Sequence, residues 1–265
     1  MNKRFLSAAL LAVFAFSFSS CSKDDDDDNN NTNTSGKADV TMRLTDGPAD
    51  YDAVYLDIQA VEVTMSGQSA VTLTPVRPGI YDILHFRNGT DTLLMRSDIP
   101  SGNIEQIRLK LGSNNSVVVD GQSYALTTPS GQTSGIKLNL NQTLVAGNAY
   151  TIWIDFDAGK SVHQTGNGKY MLKPVIRAYS SLTDGRIKGY VMPLTSLSTV
   201  YAINGVDTFA AIPANDGFFM ISGLPAANYT VWIDSGIPTL QDAFLNNVTV
   251  TYGVENNVGT ITLVP

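Results

Sequence analysis

Cysteine occurs once in the 265 residues, at Cys21, and histidine twice, at His85 and His163. A single cysteine excludes an intramolecular disulfide, and two histidines exclude a histidine-based metal cluster. Stability must therefore come from burying apolar surface. Charge is scarce as well: 15% of residues are charged, and the formal net charge is −7. That acidic balance argues against nucleic acid as a partner, which demands a basic face. Apolar runs are short, and none reaches the ~20 residues that a membrane-spanning helix needs. Signatures of catalysis are missing too. There is no Gly-x-Ser-x-Gly elbow, no His-Glu-x-x-His, no phosphate loop and no Cys–His pair. Ser161, His163 and Asp157 lie close together in sequence, but residues this near at a strand end rarely reach the geometry of a triad. No enzymatic activity is expected.

What is present begins at the N-terminus. Met1-Asn2-Lys3-Arg4 is a short positive segment, Phe5 to Phe18 is apolar or small throughout, and Ser19-Ser20 precede Cys21. This is the pattern of an export signal. With its sole cysteine at the cut, it resembles a bacterial lipoprotein signal, although Phe18 stands where Leu or Val is usual. The resemblance implies removal of residues 1–20, a thioether-linked diacylglycerol on Cys21, and acylation of its freed amine, palmitate being a typical chain. An ordinary exported protein with a stray cysteine is the alternative. More than one acyl chain matters, because a single chain gives only marginal, reversible membrane binding. Loss of Lys3 and Arg4 would leave the mature chain at −9. Behind Cys21, Lys23 and the run Asp24 to Asp28 read as a solvated, self-repelling spacer. Lys23, Asp24, Asp25 and Asp26 also resemble the acidic surface-export signal of Bacteroidetes lipoproteins. That implies an outer-membrane anchor facing outward, with a periplasm-facing anchor as the alternative. Residues 21–37 are therefore read as a lipidated, Asp/Asn-rich flexible tether.

From Lys37 onward the pattern is β throughout. Apolar runs of four to eight residues alternate with Gly, Pro, Asn and Asp turns. Strands are expected at Asp39–Thr45, Ala53–Met65, Ile104–Leu111, Ser116–Val119, Ile136–Leu140, Tyr150–Phe156 and Leu172–Tyr179, with at most a short helical turn. Many short strands at this spacing predict an all-β fold. We read two consecutive β-sandwich domains, 38–180 and 184–265, with the boundary near Ser181. Two turn-plus-strand segments look alike, Val145–Asp155 and Leu224–Asp234. Duplication is one explanation, and shared turn grammar is the other.

Three blocks carry a more specific resemblance. They are Leu44-Thr45-Asp46-Gly47-Pro48-Ala49-Asp50-Tyr51-Asp52; Leu111-Gly112-Ser113-Asn114-Asn115 running on through Gly135-Ile136-Lys137-Leu138; and Asp155-Phe156-Asp157-Ala158 through Leu172-Lys173-Pro174-Val175-Ile176-Arg177. Together they look like the Bacteroidetes lipoprotein domain of unknown function 4382, a family that brings no activity with it. Residues 184–265 resemble the carboxypeptidase regulatory-like group of transthyretin-type sandwiches. The resemblance rests on Ile187-Lys188-Gly189-Tyr190-Val191-Met192-Pro193, Asp216-Gly217 through Leu224-Pro225, and Tyr229-Thr230-Val231. Such modules are accessory, serving as spacers, stalks or relatives of starch-binding sandwiches. Asp216-Gly217 reads as a hairpin turn.

Candidate site residues are few. Asp46, Asp50 and Asp52 share one loop, and carboxylates at a sandwich end can hold calcium. The spacing lacks the Gly and closing Glu of a calcium loop, and Asp also serves simply in turns. Calcium is the only cofactor the sequence suggests. Strand alternation puts Trp153 beside Asp155 and Trp232 beside Asp234, each on a face that looks polar. An exposed indole beside a carboxylate is a sugar-stacking platform. The alternative is that each tryptophan packs under a loop or between the domains, because large aromatics bury most of their area. His85 reads as an edge residue. Asp91-Thr92-Leu93 resembles the Bacteroidetes O-glycosylation site, with Thr92 the acceptor. The sequence thus predicts a lipid-anchored envelope protein acting as a binding or adhesion module for a glycan or a surface protein. A stalk or pilus-like subunit is the second reading.

Overall fold

The computed structural model of the protein describes residues 36–128 and 135–265. Cys21, Lys23 and Asp24 to Asp26 lie outside the described residues. Among the described residues, twenty strands, numbered β1 to β20 in chain order, form four sheets. Helix among the described residues is confined to one turn, α1 (Ala158–Ser161), and two short 3₁₀ segments. The all-β expectation is met. No described helix is long and apolar enough to cross a membrane.

The first core lies between two of these sheets. One has the order β13 (Ile176–Ser180), β10 (Ala149–Phe156), β1 (Lys37–Asp46), β5 (Thr92–Pro100), with β1 and β10 parallel. The larger sheet runs β11 (Val162–Gln164), β12 (Tyr170–Leu172), β8 (Gln122–Thr127), β7 (Ser116–Val119), β2 (Ala53–Met65), β6 (Gly102–Leu111), β9 (Ile136–Leu144). Two short strands, β3 (Val71–Leu73) and β4 (Gly79–Asp82), also pair with β2. Alternation decides which residues enter the core. Val40, Met42 and Leu44 of β1 and Ile152, Ile154 and Phe156 of β10 are all fully buried.

β2 is the hub of the larger sheet, and its alternation changes phase partway. Val54, Leu56 and Ile58 face inward, and then Val61, Val63 and Met65 do. A register shift between Ile58 and Ala60 absorbs the extra residue, so both halves keep their apolar side on the core. Buried Asp57 sits just before this irregularity. Its amide donates to Asn115 Oδ1 at 2.9 Å, its carbonyl accepts from Gly112 at 2.7 Å, and its carboxylate accepts from the Asn114 amide at 3.2 Å. A Cβ on Gly112 would overlap that carboxylate. The Gly112–Asn115 run therefore wraps one buried aspartate where β2 passes from β6 to β7.

The second core lies between a three-stranded sheet, β17 (Phe218–Leu224), β14 (Gly185–Met192), β20 (Glu255–Thr262), and a four-stranded one. The four-stranded sheet runs β16 (Asp207–Ala211), β15 (Thr199–Asn204), β18 (Ala227–Asp234), β19 (Ala243–Val250). Phe219, Tyr229, Val231 and Ile233 fill this core.

Two local expectations are corrected. Leu172–Tyr179 is not one strand: β12 ends at Leu172 and β13 begins at Ile176, in different sheets. Pro174 cannot donate to a ladder, and the amides on either side of it turn to Ser161 instead. Lys173 N–H donates to the Ser161 carbonyl at 2.8 Å, and Val175 N–H to Ser161 Oγ at 2.8 Å. Asp216-Gly217 does form a turn, with Gly217 at φ +85° and Asp216 Oδ1 accepting from Phe218 N–H at 3.0 Å. It carries the chain from one sheet to the other and does not close a hairpin, because β16 and β17 belong to opposite layers.

Candidate functional site

The two look-alike segments have one local geometry. In each, a buried tyrosine ties its hydroxyl to the main chain just upstream. Val145 N–H donates to Tyr150 Oη at 2.9 Å, and Tyr229 Oη donates to the Pro225 carbonyl at 2.9 Å. In each, the tryptophan points to the opposite face, stacks on a tyrosine directly across the ladder, and gives its indole N–H to an aspartate. Trp153 lies 5.5 Å from Tyr179 and donates to Asp91 at 2.7 Å. Trp232 lies 4.8 Å from Tyr201 and donates to Asp242 at 3.0 Å.

Their surroundings differ, and this decides what each can do. Tyr179 is buried, and the Arg186 guanidinium stands 5.7 Å from the Trp153 ring. Asp155 is buried, not displayed beside the indole. It accepts from Arg177 at 2.7 Å, and Arg177 also donates to the Gly223 and Ser222 carbonyls of β17 at 2.7 and 2.8 Å. The same guanidinium lies 4.7 Å over the Phe209 ring. Half-buried Trp153 and buried Asp155 thus lie at the junction between the two sandwiches, and Asp155 is taken up by Arg177 and is not displayed beside the indole.

Trp232 is half-buried, as Trp153 is, but its other neighbour is exposed. Phe244, opposite it on β19, lies parallel at 6.1 Å and 3°, and 60% of Phe244 is exposed. Tyr201, Trp232 and Phe244 therefore make a ladder across three neighbouring strands. The rings stack on one another in turn, Tyr201 on Trp232 and Trp232 on Phe244. Strand spacing of ~4.8 Å makes the ladder about 10 Å long. The indole's carboxylate partner is Asp242, from the turn into β19, rather than Asp234, which shares the face but lies opposite Thr199. Sequence reading found Trp232 and missed Tyr201, Phe244 and Asp242. A signal existed, since Tyr201 alternates with core residues Val200 and Ala202, but only the pairing register places it beside Trp232.

Next to the ladder, on the β15–β16 side, the sheet meets the first sandwich. A cleft of about 370 Å³ opens there. Thr199, Tyr201 and Ala210 form one wall, and Asp50, Asp157 and Lys160 stand on the other. The opposite wall is held rigidly. Gly47 N–H donates to the Phe156 carbonyl at 3.1 Å, and Asp46 Oδ1 accepts from Ala158 N–H at 3.0 Å. A Cβ on Gly159 would come within 2.5 Å of the Pro48 carbonyl. Asp157 caps α1 by accepting from Lys160 N–H at 2.9 Å and pairs with the Lys160 ammonium at 2.9 Å.

Asp46, Asp50 and Asp52 do not converge. Asp46 is buried against α1, Asp50 is exposed at the cleft, and Asp52 accepts from Gly121 N–H at 2.7 Å. Among the described residues, no group of three His, Cys, Asp or Glu side chains is placed to hold a metal. Burial holds the Asp46 carboxyl well above the usual carboxylate range, opposed by the Ala158 amide and reinforced by Asp155 and Asp157. Its Oδ2 has no hydrogen-bond partner. Ser161, His163 and Asp157 likewise stay apart. Ser161 Oγ is buried against Val175, while His163 is exposed on β11. His85 is exposed, 3.6 Å from Asp82. Thr92 is half-buried at the start of β5, and the neighbouring Asp91 is bound by Arg43 and Trp153.

The family model described as a domain of unknown function (DUF4382) matches residues 37–174. No curated protein matches the chain. Among solved structures, a cohesin–X-dockerin complex from Acetivibrio cellulolyticus is 22% identical over 29% of this chain and 56% of its own, with a TM-score of 0.24. The Bacillus anthracis TIE protein is 9% identical, covering 84% of this chain and 33% of its own, with a TM-score of 0.22. The minor pilin GBS52 of Streptococcus agalactiae is 10% identical over 87% and 97%, also at 0.22. The chain spans about half and a third of the first two. At these scores the likenesses carry no functional argument.

Proposed function

The chain belongs to the DUF4382 family, whose description names no activity, and we propose that it is a non-enzymatic binding module of the cell envelope with a carbohydrate as its ligand. The observation that carries this reading is the Tyr201–Trp232–Phe244 ladder. Overlapped rings present apolar surface to the C–H faces of a sugar, and Asp242 and Asp234 at its margin accept from hydroxyls. Phe244, 60% exposed at the end of the ladder, offers apolar surface that a ligand can cover. The test is a neutral-glycan array followed by calorimetry. Phe244→Ala is expected to weaken binding about tenfold, or ~1.4 kcal/mol, with the fold intact because the side chain is largely exposed. Equal binding by wild type and variant rejects the ladder as the site.

Anchorage completes the proposal. Cys21 would hold the chain in the outer membrane by its lipids, and the acidic run behind it would carry the domains to the cell surface. A stalk or pilus-like subunit is the second reading. It draws support from the junction, where Arg177 ties both sandwiches into one body. Crosslinking into regular assemblies, with no glycan bound, would favour it.

A further inference from the structure

We infer that the ladder and the adjoining cleft form one composite site, built by both sandwiches, for a neutral oligosaccharide longer than a disaccharide. The inference rests on the carbohydrate reading and extends it to ligand length, charge and the first sandwich's part in recognition. Tyr201 is the joint. Its ring stacks on Trp232 on the β18 side, and on the β16 side it lines the cleft with Ala210. One sheet face therefore runs without interruption from exposed Phe244 to the wall carried by Asp50, Asp157 and Lys160.

Size and charge then narrow the occupant. A ladder of about 10 Å seats about two sugar rings. The cleft, at about 370 Å³, falls in the ~300–1,000 Å³ range of small-ligand sites and accepts further rings. Two carboxylates and one ammonium line it, and that ammonium is already paired with Asp157. Asp234 and Asp242 add negative charge beside the ladder. An anionic glycan would be repelled along the whole path, whereas hydroxyl groups find acceptors along it. The wall on the first sandwich is pre-built, since Asp46 and Gly159 hold the Pro48 loop against α1. A ligand therefore need not organise it on binding.

The experiment uses the full chain in detergent and calorimetric titration with neutral glucans, mannans and xylans of two to six residues. Uronic-acid oligomers of matched length serve as controls. Affinity is expected to rise about tenfold from disaccharide to tetrasaccharide for the recognised sugar. Ala210→Arg, which fills the cleft, should return the tetrasaccharide to disaccharide affinity. Asp50→Lys, on an exposed loop position that does not enter a core, should weaken the tetrasaccharide about fivefold. If both variants bind the tetrasaccharide like wild type while Phe244→Ala loses it, the ladder works alone. The composite site is then wrong and the carbohydrate reading stands. If Phe244→Ala has no effect while the cleft variants lose binding, the joined site is equally wrong. Tighter binding of the uronic-acid oligomers overturns the neutral assignment, and no binding of any glycan overturns the carbohydrate reading itself.

Discussion

Asp46 shows how a single buried group can govern stability. Its folded carboxyl holds its proton above the ordinary carboxylate range because burial outweighs the Ala158 amide and the Arg87 charge. The folded state therefore binds more protons than the unfolded chain between the ordinary and the raised value. The associated stability is fully present in acid and is lost as pH rises through that window. Asp46→Asn keeps an acceptor for the Ala158 amide and removes the titration. Its melting temperature should match wild type near pH 4 and exceed it progressively toward pH 8. Parallel melting curves across that range would show that Asp46 carries no excess proton. The sequence displayed Asp46 only as one of three loop carboxylates. Nothing in Asp46-x-x-x-Asp50-x-Asp52 distinguishes the one that folds inward. The tryptophans make the same point. Alternation assigned each its face, but the Asp91 and Asp242 partners lie 62 and 10 residues away, and one indole lies at the junction while the other stacks beside exposed Phe244.

At the scale of elements, the junction depends on β17 approaching β13 closely. Gly223 sits at φ +68°, and a Cβ there would collide with the buried Tyr179 ring. Gly223→Ala therefore meets both a backbone penalty and a steric one that Tyr179 cannot relieve. Urea unfolding should show a loss of roughly 2–4 kcal/mol, with faster protease cleavage in the 181–184 connection. Retained stability and unchanged cleavage would mean that the sandwiches do not depend on this contact. Strand positions were legible where alternation was clean. Ala53–Met65 and Ser116–Val119 coincide with the expected bounds. The Leu172–Tyr179 reading failed because an apolar run around Pro174 looks continuous until its amides are traced to Ser161. The Asp216-Gly217 turn was visible, but its destination was not, since local turn chemistry does not say which sheet the next strand joins.

For the whole molecule, the proposed reading puts anchorage and recognition in different parts of the chain. Cys21→Ala should move the protein from the membrane to the soluble fraction. Neutralising Asp24 to Asp28 should reduce protease shaving on intact cells without changing the melting temperature. A protein that stays membrane-bound after Cys21→Ala would refute the lipid anchor.

Composition and pattern were enough to determine an all-β chain with no intramolecular disulfide, its acidic charge, the family blocks, and which sides of the Tyr150 and Tyr229 strands enter a core. These follow from local rules, since alternation has a period of two and turns need particular residues. The tertiary structure decided the rest. It buried Asp46 and Asp155, set Trp153 at the junction, aligned Tyr201, Trp232 and exposed Phe244 in one ladder, and brought the Pro48 loop beside Tyr201. Each outcome depends on pairing between strands distant in the sequence. Register and domain docking set that pairing through the sum of many contacts, and no short stretch of residues encodes it.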